Sequence, residues 1–254
     1  MVTSILRGGL GNYMFQIGAA VTLAVKYNDT AVFDFNYTKQ VHNNIKTYKQ
    51  NLFRKLDDSL KVSKINIYNE PQFEFSVIPY KKDIVLSGNF QSEKYLDRDL
   101  ILNLFALDSI SKNYIAGKYG TDFNNCTSIH VRRGDYLLKQ DRHPVLGMEY
   151  YNSAIEQFDN CKKFIIFSDD IVWCKANFIG DNFVFVEDEE DYIDLWLMSL
   201  CNNNIIANSS FSWWGAWLNT SIDKKIISPK HTNWFGKNKK LNTQDLIPEL
   251  WDQI

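Results

Sequence analysis

In its second half this chain alternates short β-prone runs with helix-forming stretches, and that alternation restricts the fold more than any other feature. Residues 128–131, 164–167, 183–186, 204–207 and 225–228 read as strands, and residues 149–158, 192–201 and 212–218 read as helices between them. Strands joined through helices at this spacing imply a parallel sheet. In such a sheet a ligand binds in the crevice beyond the carboxyl ends of the strands. Three polar segments, 130–135, 168–170 and 208–210, fall at those ends.

The first half opens as a βαβ layer. Residues 2–6 are β-prone, 7–12 form a glycine-rich turn, 14–26 are apolar enough for a buried helix, and 31–35 look like the next strand. Residues 36–80 are polar and irregular and predict loops and short helices. A strand is expected at 84–86, a turn at 88–92 and a helix at 97–107. Residues 108–126 are the candidate connection between an N-terminal domain over 1–115 and a C-terminal domain over 116–254.

A chain of 254 residues suits one large domain or two small ones. Its formal charge of −2 supplies no global basic field for nucleic acid. The small patch of Lys237, Lys239 and Lys240 reads as solvated surface. Cys126, Cys161, Cys174 and Cys201 are widely spaced, with no Cys-x-x-Cys pair and no His/Cys cluster at zinc-ligand spacing. Free thiols in a reducing compartment are therefore expected. The N-terminal apolar run is too short for a signal peptide or anchor, and no segment reaches about 18 uninterrupted apolar residues. These features together predict a cytoplasmic protein with no integral membrane segment, no nucleic-acid partner and no bound metal.

The chemistry concentrates in four places. His130-Val131-Arg132-Arg133-Gly134-Asp135-Tyr136 ends a strand with two guanidiniums beside a carboxylate and an imidazole. An arginine fork can pair two phosphate oxygens and stays charged, which suits a diphosphate; a plain surface ion pair is the alternative. Arg7-Gly8-Gly9-Leu10-Gly11-Asn12 follows the first strand. Glycines there let backbone approach a ligand and turn helix-start amides toward an anion, although a mere tight turn fits as well. It is neither a dinucleotide fingerprint nor a Walker loop. Asn208-Ser209-Ser210-Phe211-Ser212-Trp213-Trp214-Gly215 places hydroxyls and amides at a helix start, a phosphate site or an ordinary N-cap. Trp213, Trp214 and Trp217 have helical spacing and read as core or domain interface. Asp194 lies on the preceding helix. It could accept two hydrogen bonds from a guanine edge, or be a solvated helix charge. The acidic run over 187–191 matches no standard metal loop and reads as a solvated surface loop.

Taken together, these segments resemble the α-1,2-fucosyltransferases of glycosyltransferase family 11. The resemblance rests on Gly8-Gly9-Leu10-Gly11-Asn12 with Phe15-Gln16, on His130-x-Arg132-Arg133-Gly134-Asp135-Tyr136, on Phe167-Ser168-Asp169-Asp170, and on the run from Asn208 to Leu218. It spans most of the chain. Tyr13-Met14 stand where members usually carry Gln-Leu. The resemblance implies an α/β fold of GT-B type, with two Rossmann-like domains facing a central cleft. It implies GDP-β-L-fucose as donor, a glycan acceptor, inversion at the anomeric carbon and no metal cofactor. Arg132 then contacts the donor diphosphate, His130 lies near guanine and ribose, Asp194 binds guanine, and Ser209 and Ser210 meet the phosphates. Phe211, Gly9, Gly11 and Asn12 complete the candidate donor contacts.

The expected reaction is a displacement with oxocarbenium character. Arg132 stabilises charge on the departing GDP, helped by the amides of Ser209, Ser210 and Phe211. Asp135, Asp141 and His143 are candidates for a general base, Asp141 by its position in the loop and Asp135 with an alternative role orienting an arginine. Residues 36–80 are expected to shape the acceptor site. The expected activity is transfer to the 2-hydroxyl of a terminal galactoside. The competing readings are another acceptor within the superfamily and a non-catalytic GDP-sugar-binding module.

Overall fold

The computed structural model describes residues 1–35, 45–60, 66–158 and 161–254. The expectation for residues 36–80 therefore lies partly outside the described residues. The chain divides into two compact units, Met1–Ser109 with Gln244–Pro248, and Ile110–Thr243 with Glu249–Ile254.

The first unit starts with β1 (Val2–Ser4) and α1 (Leu10–Lys26). It continues through α2 (Ile45–Gln50), β2 (Asn66–Asn69), β3 (Ile84–Ser87) and α3 (Arg98–Leu104). The sheet is parallel with order β1-β3-β2. Its apolar residues Val2, Ile84, Val85 and Leu86 are buried, and Met14, Phe15 and Ile17 of α1 are fully enclosed. A helix apolar on nearly every side must sit inside a core. Asn28 ends α1 in the left-handed region at φ 52°, which an asparagine tolerates better than most residues.

One expectation fails here. Residues 31–35 make only isolated bridges, Ala31 to Val2 and Val32 to Asp57, in place of a strand. Phe33 and Phe35 are buried instead, their rings tilted 6.1 Å apart, with Phe35 stacked on Phe53 at 6.0 Å. The β-prone pattern thus reflects aromatic burial without a ladder to join. Much of the stretch 108–126 is α4 (Ser109–Tyr119), and the division between the two units falls at the start of that helix.

The second unit carries β4 (Cys126–Val131), α5 (Met148–Ile155), β5 (Lys163–Ser168) and α6 (Ile171–Asn177). Then follow β6 (Phe183–Phe185), α7 (Asp191–Leu200), β7 (Asn203–Ile205), α8 (Ser210–Trp217), β8 (Ile226–Ser228) and β9 (Asp252–Gln253). All six strands are parallel, in the order β6-β5-β4-β7-β8-β9. The chain runs outward from β4 to β6, then returns to start again at β7. The switch point therefore lies between β4 and β7, and a doubly wound sheet binds ligands at that place.

Packing fixes α7 against α8. A Cβ on Gly215 would stand 2.9 Å from the Cβ of Met198, so only glycine allows this approach without displacement. Trp213, Trp214 and Trp217 are buried, as expected, with Trp213 stacked on Trp217 at 5.9 Å and tilted against Trp251 at 5.5 Å. Beneath them Asn204 donates to the hydroxyl of Ser128 and to the carbonyl of Met198, both at 2.7 Å. Among the described residues no helix is long and apolar enough to cross a membrane.

Candidate active site

The motif at the end of β4 splits its two arginines between different tasks. Arg133 is locked: its Nε pairs with Asp170 at 3.0 Å, and its guanidinium lies 4.1 Å over the Trp173 ring. Asp170 also caps α6 by accepting from the Trp173 amide at 3.2 Å. Arg132 is presented. Its Nη2 pairs with Asp135 at 2.7 Å, its Nη1 with Asp169 at 3.1 Å, and its plane lies 5.3 Å from the centre of the Tyr136 ring. A guanidinium carries five N–H donors in a rigid plane, so two braces orient it and leave donors for a ligand. Gly134 leaves room for the Asp169 brace. A Cβ there would meet the Asp169 carboxylate at 2.3 Å.

Across the switch point Tyr136 donates its hydroxyl to the Asn208 carbonyl at 3.2 Å, which ties the β4 loop to the β7 loop. Asn208 is buried and donates to the carbonyls of Pro144 (2.9 Å) and Trp234 (3.2 Å). Ser209 is the N-cap of α8, its hydroxyl accepting from the Phe211 amide at 3.3 Å. The Ser209 amide is already used, donating to the Ala207 carbonyl at 2.7 Å. This corrects the expected set of anion-binding amides: the Ser209 amide is used by Ala207 and the Phe211 amide by the Ser209 hydroxyl. The Phe211 ring lies 5.4 Å from that of His130. His130 is buried with no partner at Nδ1, and burial, with Arg132 adding to it, pushes its pKa down to about 3. It therefore stands as a neutral imidazole with one donor and one acceptor nitrogen.

Asp194 sits in the first turn of α7. Its Oδ1 is buried with no hydrogen-bond partner, and burial raises its pKa to about 8, with the charges of Glu189 and Asp191 adding to the effect. A carboxyl oxygen buried without a partner is costly unless a donor arrives. In the segment before it Glu187, Asp188 and Glu190 are exposed, as expected for a solvated loop, but Glu189 is not. The Glu189 side chain is only 3% exposed. It accepts from the hydroxyls of Tyr114 at 2.9 Å and Tyr119 at 2.6 Å, and it pairs with Lys118. Sequence reasoning missed this cluster. Its only signal was the spacing of Tyr114, Lys118 and Tyr119 along α4.

In the first unit the glycine-rich turn is shorter than expected. Gly9 is the N-cap, so Gly11 and Asn12 lie in the first turn of α1. Gly11 is buried, and Asn12 accepts from the Gln91 amide at 2.6 Å. Gln16 is fully buried and laces two loops together, accepting from the Arg7 amide at 3.0 Å and donating to the carbonyls of Arg7 (3.2 Å) and Gly88 (3.3 Å). Tyr13 and Met14 are both buried in this core.

The base candidates differ in their surroundings. Asp135 is held by Arg132 and by Lys139 at 3.1 Å. Burial would raise its pKa, but the Lys139 hydrogen bond and the Arg132 charge outweigh that and lower it. Asp141 is exposed and accepts from the Asn238 amide at 3.1 Å. The His143 ring stacks on Tyr136 at 4.7 Å, and its Nδ1 is buried without a partner. No group of three or more His, Cys, Asp or Glu among the described residues could hold a metal ion.

The chain is 35% identical to the O-antigen biosynthesis glycosyltransferase WbnK of Escherichia coli, over 95% of this chain and 98% of that protein. It is 33% identical to an alpha-1,2-colitosyltransferase of Escherichia coli, over 100% of this chain and 99% of that one. In fold it matches the fucosyltransferase NodZ from Bradyrhizobium with a TM-score of 0.57 at 13% identity, covering 91% of this chain and 96% of that chain. That likeness identifies the two parallel-sheet units as a GT-B architecture. The Glycosyl transferase family 11 model matches residues 1–245. A guanidinium braced at the switch point, a capped serine pair beyond it and a full-length family match lead to one conclusion: the chain belongs to glycosyl transferase family 11 and is a catalytic glycosyltransferase.

Proposed function

We propose that the enzyme transfers L-fucose from GDP-β-L-fucose to the 2-hydroxyl of a terminal galactoside on a glycan, with inversion and without a divalent metal. The observation that carries this reading is Arg132, braced by Asp135 and Asp169 at the end of β4 with the Ser209 cap across the switch point. As the glycosidic bond breaks, charge grows on the departing GDP. A fixed guanidinium opposes it without reorganising. Ser209, Ser210 and Phe211 frame the phosphates, His130 meets the nucleoside as a neutral ring, and Asp194 accepts from the N1–H and amino group of guanine. Asp135 is the weaker base because two cations hold its charge, so its role is to position Arg132. Asp141, held only at Oδ2 by Asn238, is the carboxylate we assign to take the acceptor proton.

The full-length likeness to a colitosyltransferase favours one second reading, with GDP-colitose as donor. Colitose is fucose without its 3-hydroxyl, so both donors present the same nucleotide and differ at one sugar position. The test measures GDP release from each donor in EDTA, with and without a terminal β-galactoside, and assigns the product linkage by NMR. The expected result is acceptor-dependent release from GDP-fucose and an α-1,2 product. Arg132→Ala should lose about two to three orders of magnitude in rate while keeping its melting temperature. Faster turnover of GDP-colitose would replace the donor, a different linkage would replace the acceptor, and an unfolded Arg132→Ala would make Arg132 structural.

A further inference from the structure

A cavity of about 410 Å³ opens in the second unit between His231 and Thr243, and the assigned chemistry leaves it unused. Its lining includes Lys237, Lys239 and Lys240 and no acidic residue. These lysines form no ion pair with a carboxylate among the described residues. Lys239 is half-buried, its ammonium 3.9 Å over the Phe235 ring. Burial, with Arg142 adding to it, lowers the pKa of Lys239, as expected for a cation enclosed without a counter-ion.

The pocket is built rather than incidental. The Gly236 amide donates to the Arg142 carbonyl at 2.9 Å and the Asn238 amide to the Asp141 carbonyl at 3.1 Å, which fastens the lysine-bearing loop to the segment after the Arg132 motif. A Cβ on Gly236 would stand 2.3 Å from the Asp141 carbonyl oxygen, so the approach needs glycine. The carboxylate that touches this loop, Asp141, is held by the Asn238 side chain and by no lysine. On the opposite wall the Thr243 hydroxyl donates to the His231 carbonyl at 2.9 Å, so the 3.0 Å contact of Thr243 Oγ1 with His231 Nδ1 takes the ring proton. This fixes the His231 ring. A continuous run of ring contacts then leads from Lys239 through Phe235, His143 (5.7 Å) and Tyr136 (4.7 Å) to Arg132 (5.3 Å).

We infer that the loop from His231 to Thr243 forms a second anion site, which takes a phosphate or diphosphate group distinct from the one at Arg132. Three lysines around one cavity act as point charges for phosphoryl oxygens, without the shape demand of a bidentate arginine. The distinctness of the site rests on the reading of Arg132 as the donor-phosphate contact; the existence of the site does not.

The test titrates inorganic pyrophosphate by calorimetry into three proteins: the native chain saturated with GDP, Arg132→Ala, and the triple variant K237Q/K239Q/K240Q. Glutamine keeps a stem for the Phe235 contact. Pyrophosphate should bind the first two and bind the triple variant at least tenfold more weakly, with GDP affinity and melting temperature unchanged there. Binding that vanishes with GDP or in Arg132→Ala, or that persists in the triple variant, would overturn the inference. If GDP does not bind at all, the donor reading fails, and comparing Arg132→Ala with the triple variant still decides the pocket. The source of the group follows from a galactoside acceptor with and without a phosphorylated aglycone. A KM lowered by the phosphate in the native chain alone assigns the pocket to the acceptor. Equal KM values, with pyrophosphate still binding, assign it to free phosphate.

Discussion

In the proposed guanine site, Asp194 would couple nucleotide binding to a proton. With a pKa raised from 3.8 to about 8, the carboxyl is protonated in the empty protein at neutral pH and ionised once the chain unfolds. The folded state then binds the extra proton, so this group's contribution to stability falls as pH rises through that window. Guanine reverses the preference because its two donors favour the ionised form. GDP binding should therefore release a proton below about pH 8, and affinity should rise by up to tenfold per pH unit toward that point, then level off. Calorimetry in buffers of different ionisation enthalpy would read the proton directly. Asp194→Asn should bind GDP weakly and without this slope. A flat pH profile in the native protein would remove Asp194 from the guanine site.

At the scale of elements, α7 is positioned from two sides. Gly215 lets α8 press on Met198, and Glu189 anchors the loop before α7 to Tyr114, Lys118 and Tyr119 of α4. Glu189→Ala leaves the half-buried Tyr119 hydroxyl unpaired while the exposed Tyr114 and Lys118 turn to water, which should cost about 1 kcal/mol. Because the loop leads directly into Asp194, the KM for the donor should rise more than kcat falls. Glu189→Gln should recover part of the stability, since its amide oxygen still accepts from the tyrosines. A variant with native melting temperature and native donor KM would show that the cluster positions nothing.

The same elements show what the sequence could disclose. The place of the β4 and α8 motifs was legible because strand ends can be read from apolar runs. The Glu189 cluster was not legible. Tyrosines and a lysine on a helix of mixed polarity look like solvated surface until the tertiary fold brings a carboxylate to them. Residues 31–35 misled for a related reason. Phe33 and Phe35 alternate as a strand does, but their rings are buried where no ladder extends. Gly215 and Gly134 carried no sign of their role, because what each glycine avoids is a side chain remote in sequence.

At the scale of the whole molecule, the last residues serve both units. Residues Gln244–Pro248 belong to the first and Glu249–Ile254 to the second. In the first, Asp245 accepts from the Phe75 amide at 3.0 Å and pairs with Lys94, while Leu246 and Ile247 are buried. In the second, Trp251 is buried 5.5 Å from Trp213, β9 closes the sheet edge on β8, and the Ile254 amide donates to the Ser228 carbonyl at 3.1 Å. Burying Leu246, Ile247 and Trp251 contributes about 1.5–3 kcal/mol each. Their sum is comparable to the roughly 5–15 kcal/mol that holds an ordinary domain folded. Deleting residues 244–254 should therefore destabilise both units at once, because each loses core side chains. Near-ultraviolet circular dichroism would report the Trp213 cluster, and hydrogen exchange at the β1 and β3 amides would report the first unit. Both signals should be lost together well below the native melting temperature. If the exchange protection of β1 and β3 survives while the tryptophan signal collapses, the first unit does not depend on this segment, and its hold on Asp245 and Leu246 contributes little.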